Sequence, residues 1–347
     1  MILILNLDPF LQSGGCNVNE SDSLVSVIVG VNRDDGTLLE SIKSVLSQTH
    51  NNLELIIVND GSSHEVSRAV GRISDDRIIL INSKKIGLTA ALNIALKESK
   101  GIYIARHDAG DFSSKNRFYS QIEFLKNNPN ISMCGSWIKE SSLSGVDLGI
   151  TPFPSSHAEI HDKILYTNVF CHGSIMAKKD DIIKINGYRE EFKNSQDYDL
   201  WLRFIELYKV ANIEKPLYRR VISPDSISFV NKKKQKEYAN LARNCYNARK
   251  AKTKEPLHIY KDISREQSKA ITQKKIYSSY KFYCGRRLYA NGKMRLARKY
   301  FLSSLIFHPF ALKNIIYIFF TLLPKYLRSL FEKIWYKSKV KYNLKID

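Results

Sequence analysis

From residue 23 to residue 140 the chain alternates between two hydrophobic patterns. SLVSVIVGVN (23–32) is a near-continuous Val/Ile run with a polar end, as expected of a strand covered on both faces. In TLLESIKSVLSQ (37–48), Leu38, Leu39, Ile42, Val45 and Leu46 recur at helical spacing. LELIIVNDGSS (53–63) predicts a second strand ending in a turn, and RIILIN (77–82) a third. GLTAALNIALKES (87–99) predicts an Ala/Leu helix, IYIARHD (102–108) a fourth strand, KNRFYSQIEFLKNN (115–128) another helix and ISMCGSWIKE (131–140) a further strand.

Strands alternating with helices at this spacing predict an α/β domain, a mostly parallel sheet with helices on both faces. Its crossovers are right-handed, so the polar strand ends gather on one edge, where ligands bind in open α/β sheets. Two acid-bearing turns, NDGSS and HDAGD, fall at such ends and bring Asp60 and Asp108 towards one crevice. Acids at the end of a buried strand are costly unless something cationic meets them. No GxGxxG follows the first strand and no GxxxxGK[ST] occurs anywhere, which weighs against a dinucleotide-dependent dehydrogenase and a P-loop NTPase.

Composition adds two points. The five cysteines (Cys16, Cys134, Cys171, Cys245, Cys284) are scattered, with no CxxC pair, and read as reduced packing thiols of a cytosolic protein. The formal charge of +20 is concentrated at one end. Residues 231–347 hold 29 Lys and Arg against 6 Asp and Glu, a net of +23, which leaves residues 1–230 at −3. That shift sets an expected boundary between an α/β domain at 24–230 and a basic helical region at 231–347. MILILNLDPFLQSGG lacks a basic n-region and reads as a short extension (1–23) rather than a secretory signal.

The blocks VSVIVGVN, SIKSVLSQTHNNLELIIVNDGSS and GLTAALNIALKESKGIYIARHDAGD, followed by CHGSIMAKK (171–179) and NGYREEFKNSQDYDLWLRF (186–204), resemble the family 2 glycosyltransferases over about residues 24–220. The resemblance implies a GT-A fold, with a nucleotide-sugar half at about 24–135 and an acceptor half at about 136–230. It also implies inverting transfer from a nucleotide-activated sugar.

Carried over residue by residue, the resemblance makes Asp60 a nucleobase contact, and a carboxylate suits the imino N–H of a uracil- or thymine-type base. The alternative for Asp60 is a turn cap beside Gly61. Asp108 aligns with the first acid of the DxD-type motif and faces the nucleotide sugar and a divalent metal, Mg²⁺ or Mn²⁺. Many relatives read DADD here. This chain reads DAGD, so Gly110 replaces an acid that is commonly a direct metal ligand. Asp111 is then either a metal ligand or a turn acid before the next helix. His172 matches a position near the diphosphate or metal. Arg106 either contacts phosphate or pairs with a neighbouring acid. Asp197 matches the catalytic base, with Gln196 in the position of the preceding Glu. Asp199 is the weaker candidate for that role, and Trp201 reads as packing.

The QxxRW pattern of processive synthases is absent, which favours single addition to a saccharide or lipid-linked saccharide, as in bacterial surface-polysaccharide assembly. In the basic region, NIIYIFFTLLP (314–324) is too short to span a membrane. YLRSLFEKIWYKSKVKY interleaves cations with aromatics, which suits a helix on an anionic leaflet. The expected location is therefore cytoplasmic, peripheral at the inner face of the membrane. Two other readings remain at this point: a sugar-1-phosphate nucleotidyltransferase, and a basic scaffold or nucleic-acid binder without catalysis.

Overall fold

A computed structural model of the chain describes residues 23–62, 64–265, 272–324, 326–328 and 330–331. The expected extension up to residue 22, Cys16 and the basic segment from residue 332 onward lie outside the described residues.

Four parallel strands open the sheet: β1 (Val25–Val31), β2 (Leu53–Asp60), β3 (Ile78–Ser83) and β4 (Tyr103–Arg106). They are linked by helices α1 (Leu38–Leu46), α2 (His64–Val70) and α3 (Leu88–Glu98). Period-2 alternation sorts the strands' side chains onto two faces. Val27, Val29, Leu55 and Ile57 pack with Leu38, Ile42 and Val45 of α1, while Ile28, Ile56 and Val58 pack with Ala91, Leu92 and Ala95 of α3. Truncating one of these residues, such as Ile56→Ala, would cost about 2–5 kcal/mol.

Beyond β4 come the two-residue strand β5 (Phe112–Ser113), α4 (Arg117–Asn127), β6 (Ile131–Ser142), β7 (Asp147–Thr151), α5 (His157–Lys163), β8 (Met176–Lys178), α6 (Lys179–Lys184), α7 (Gln196–Ile205) and β9 (Lys209–Ile222). The sheet runs in the order β3-β2-β1-β4-β8-β6-β9-β5, with β7 beside β6. From β8 onward the pairing turns antiparallel: β8 pairs so with β4 and β6, and β5 with β9. The β5–β9 register sets Phe112 opposite Arg219 and Ser113 opposite Tyr218. A late strand is thereby placed directly beside the acidic turn that ends at Asp111.

The chain divides into two compact units, and their division does not follow the charge shift at residue 231. The first comprises Met1–Ser141, Ile150–Val221 and Lys232–Ser268. It therefore includes α9 (Lys232–Lys250) and α10 (Tyr260–Arg265). Although α9 begins with a lysine run, Tyr238, Leu241, Ala242 and Cys245 form a buried stripe at helical spacing and join the sheet's core. The second unit comprises Ser142–Gly149, Ile222–Asn231 and Lys269–Asp347. Within it, α8 (Ile227–Val230), α11 (Gln273–Ala290), α12 (Met294–Phe307) and α13 (Leu312–Leu322) surround a core of Leu148, Ile222, Tyr280, Cys284, Leu288, Ala297 and Phe301. Cys134, Cys171, Cys245 and Cys284 are buried and form no disulfide among the described residues.

Candidate active site

Asp60 ends β2. Its buried carboxylate accepts the backbone N–H of Ile86 at 2.6 Å and that of Gly87 at 3.0 Å. The turn after it closes tightly: Gly61 has φ +68°, and a Cβ there would lie 2.6 Å from the Lys85 backbone nitrogen. Asp60 thus ties the end of β2 to the loop that leads into α3.

The second acidic turn follows β4. Arg106 is fully buried, and its guanidinium donates to the Ile28 carbonyl at 3.0 Å, to the His107 carbonyl, and to Asp108 Oδ1 at 2.6 Å. Of the two roles open to Arg106, the structure displays pairing with the neighbouring acid. His107 spans Ser41 Oγ at 2.9 Å and Ser113 Oγ at 3.1 Å. Burial, helped by the Arg117 charge, pushes its imidazole down to about 3, so it is a neutral strut at physiological pH. Asp108 retains 36% side-chain exposure. Burial opposes its ionisation, but the charge of Arg106, with a smaller part from Arg220, holds it below the usual carboxylate value.

Asp111 has a different environment. It is buried, Tyr218 donates its hydroxyl to Oδ2 at 2.9 Å, and the Val221 N–H reaches Oδ1 at 2.8 Å. Burial and the neighbouring Asp108 charge raise its carboxyl to about 8. The Tyr218 oxygen also accepts the Asp108 backbone N–H at 3.0 Å. Gly173 makes room for this arrangement, since a Cβ there would meet Tyr218 Oη at 2.2 Å and Asp108 Oδ2 at 2.9 Å.

His172 opens a short 3₁₀ turn (His172–Ser174), and its Nε2 lies 2.8 Å from Tyr188 Oη. Its ring meets Tyr188 and Trp201 edge-on, at 5.7 and 5.8 Å between centroids. Burial, reinforced by Arg106 and opposed by Asp108 and Asp197, lowers its pKa. Asp197 stands in the first turn of α7, behind a left-handed Ser195 (φ 54°) that aims the helix start. Asp108 and Asp197 therefore act on the same two groups, His172 and Tyr188.

Asp199, two residues on, turns into the core. Its carboxylate takes Arg189 and Arg203, with Nε of each at 3.0 Å. Arg189 also pairs with Glu255. Trp201 is fully buried against Phe170.

Asp60, Arg106, Asp108, Asp111, His172 and Asp197 are candidates on sequence alone, whereas Tyr218, Tyr188, Gly173 and Arg220 are not. Their only link to the acidic turn is through folding: Tyr218 is 107 positions from Asp111.

Asp108, Asp111 and His172 do not form a ligand set. Among the described residues no group of three His, Cys, Asp or Glu is arranged to hold a metal ion. Both Asp111 oxygens and His172 Nε2 already have partners, and Gly110 brings no side chain. Of these three, only Asp108 offers a partly exposed carboxylate. That is enough only for a hard cation whose remaining ligands are phosphate oxygens and waters.

The model of the family described as glycosyl transferase family 2 matches residues 26–184. The putative glycosyltransferase EpsE of Bacillus subtilis is 34% identical over 216 residues, covering 59% of this chain and 74% of EpsE. The O-antigen biosynthesis glycosyltransferase WbnJ of Escherichia coli is 36% identical over 185 residues, covering 52% and 72% respectively. The chain belongs to glycosyltransferase family 2. It is a glycosyltransferase, and the sheet described above, followed by helices, is its GT-A fold. Membership sets aside the nucleotidyltransferase and the non-catalytic scaffold. Among solved structures, a mannosyltransferase from Pyrobaculum calidifontis, in complex with GDP-Man and Mn²⁺, aligns with a TM-score of 0.46 at 13% identity over 81% of this chain and 75% of that one. No helix among the described residues is long and apolar enough to cross a membrane.

Proposed function

We propose that this family 2 glycosyltransferase adds single sugars, with inversion, from a nucleotide sugar to a saccharide or lipid-linked saccharide in polysaccharide assembly. The observation that carries this reading is the contact of His172 Nε2 with Tyr188 Oη at 2.8 Å, a pair on which the charges of both Asp108 and Asp197 bear. The two acids supply an ionised donor-side carboxylate and a second carboxylate within one site.

In this reading the nucleobase lies against the Asp60 turn and the diphosphate against Asp108. The acceptor hydroxyl oxygen attacks the anomeric carbon from the face opposite the diphosphate. The bond from that carbon to the phosphate oxygen breaks, the nucleoside diphosphate leaves with the electron pair, and Asp197 takes the hydroxyl proton. Arg106 offsets the charge of Asp108, but an ionised carboxylate still opposes a diphosphate. Asp108 is the residue that would hold a divalent cation, Mg²⁺ or Mn²⁺, and such a cation would supply charge stabilisation of the leaving group. The polysaccharide setting rests on the likeness to WbnJ, an O-antigen biosynthesis glycosyltransferase, and on the lack of a processive motif. With a net of +23 over residues 231–347, the enzyme works peripherally at the cytoplasmic face of an anionic membrane.

A thermal-shift screen of UDP- and GDP-sugars, with and without Mn²⁺, tests the donor and the cation together. Stabilisation by one nucleotide class, deepened by Mn²⁺, is expected. No response to any nucleotide sugar would contradict the reading.

A further inference from the structure

Within the second compact unit, α13 has two unlike faces. Its inner face is satisfied: Asn314, Phe320 and Thr321 are buried, and Tyr317 meets Phe282 and Tyr289 edge-on at 5.6 and 5.3 Å and lies tilted against Phe301 at 5.2 Å. Its outer face reads Leu312, Ile315, Phe319 and Leu322, all exposed, at i, i+3, i+7 and i+10. A surface helix normally carries polar residues there. The exposure peaks at the turn joining α12 to α13, where Ile306 is 77%, Phe310 90% and Leu312 66% exposed.

Exposed lysines share this end of the helices. Helices α11 and α12 run antiparallel, with Ser278 Oγ 2.9 Å from Ser304 Oγ and the Tyr277 and Phe307 rings 5.5 Å apart. The start of α11, with exposed Lys274 and Lys275, therefore lies at the same end as Ile306 and Phe310. Exposed Lys313 follows Leu312. From residue 267 to residue 331 the chain holds 13 Lys and Arg and no Asp or Glu.

We propose that the α12–α13 turn is a membrane-insertion tip: Ile306, Phe310 and Leu312 enter the interface of an anionic bilayer, and Lys274, Lys275 and Lys313 meet its headgroups. An apolar tip with lysines at the same end matches the two terms that bind interfacial elements, buried apolar area and attraction to anionic lipid. A second copy of this chain is the poorer occupant, because it would set one strongly cationic segment against another. The 11 residues of α13 reach only about 16 Å, roughly half the hydrocarbon core, so the helix lies in the interface rather than across it. The proposal rests on the peripheral placement proposed above and gives it a location.

Flotation of the full-length chain with vesicles of phosphatidylcholine, alone or mixed with phosphatidylglycerol, tests it. The wild-type chain should float with the mixed vesicles only, and less as salt rises. Ile306→Ser/Phe310→Ser should lower the bound fraction by about tenfold or more. Each of Lys274→Gln, Lys275→Gln and Lys313→Gln should cost roughly fivefold in partition. Leu207→Ser, at a 67% exposed leucine of the other unit, should float like the wild type. Circular dichroism should show every variant folded, since the changed side chains are exposed. If the wild type floats and Ile306→Ser/Phe310→Ser floats equally well, the tip is wrong while the peripheral reading stands. If the wild type never floats, both fall. If light scattering shows that Phe310→Ser instead abolishes a dimer and leaves flotation unchanged, the surface belongs to a second copy.

Discussion

Tyr218 donates its hydroxyl to Asp111 at 2.9 Å, and through the same oxygen it holds the Asp108 backbone N–H at 3.0 Å. One phenol on β9 therefore fixes both ends of the DAGD turn. Tyr218→Phe keeps the ring, the packing and the Arg117 guanidinium stacked 5.0 Å above it, and deletes only the clamp. We expect a loss of about 1–3 kcal/mol in stability, together with a fall in kcat of about tenfold or more as Asp108 loses its setting. Steady-state kinetics beside a denaturant melt checks this, and unchanged kcat would remove Tyr218 as a positioning residue.

Asp111 ties stability to pH. Its folded value of about 8 lies above the ordinary unfolded value of about 4, so the folded state keeps a proton that the unfolded chain releases. The contribution is complete below about pH 4 and is lost as pH rises through about 8. Asp111→Asn cannot ionise, so its Tm should fall less than that of the wild type between those limits. Parallel Tm profiles for the two proteins would show that Asp111 ionises normally.

Gly110 occupies the place of an acid, but its surroundings do not accept one. Its φ is +86°, and a Cβ would lie 2.8 Å from Thr37 Oγ1 and 3.6 Å from the nearer Asp35 carboxylate oxygen. Gly110→Asp should therefore cost about 1–3 kcal/mol and should not tighten Mn²⁺ binding. Thermal melts with Mn²⁺ calorimetry decide this. A stable Gly110→Asp variant with a new Mn²⁺ site would contradict it.

Asp199 and Asp197 are separated by one residue and differ in kind. Asp199→Ala strips a buried carboxylate from Arg203 and from Arg189, which keeps Glu255, and breaking a buried ion pair costs about 3–5 kcal/mol. Asp197→Asn, at the partly exposed helix start, should change stability by less than about 1 kcal/mol. Denaturant titration of the two variants separates them, and equal losses would mean that Asp197 is structural too.

Much of the fold is legible in the sequence, because local periodicity determines it. The run from Val25 to Val31 and the spacing of Leu38, Ile42 and Val45 carry their own structural signals, and right-handed crossovers then put Asp60 and Asp108 on one sheet edge. What is not legible is set by long-range pairing. The burial of Asp111 depends on β9 arriving beside it, and the DAGD letters reveal a missing acid but not that Thr37 and Asp35 crowd its place. The charge shift at residue 231 also hid the buried stripe of α9, because net charge counts the lysines that face solvent and not the Tyr238, Leu241 and Cys245 that face the core.

The central claim is that Asp197 takes the acceptor proton in a site that binds its donor independently. Its most direct test is transfer by Asp197→Asn, measured with the nucleotide sugar found by thermal shift and followed by release of nucleoside diphosphate, with calorimetric binding of that nucleotide alongside. The account predicts that turnover falls by about 10²–10⁴-fold while nucleotide affinity stays within about twofold. Turnover near wild type in Asp197→Asn would contradict it.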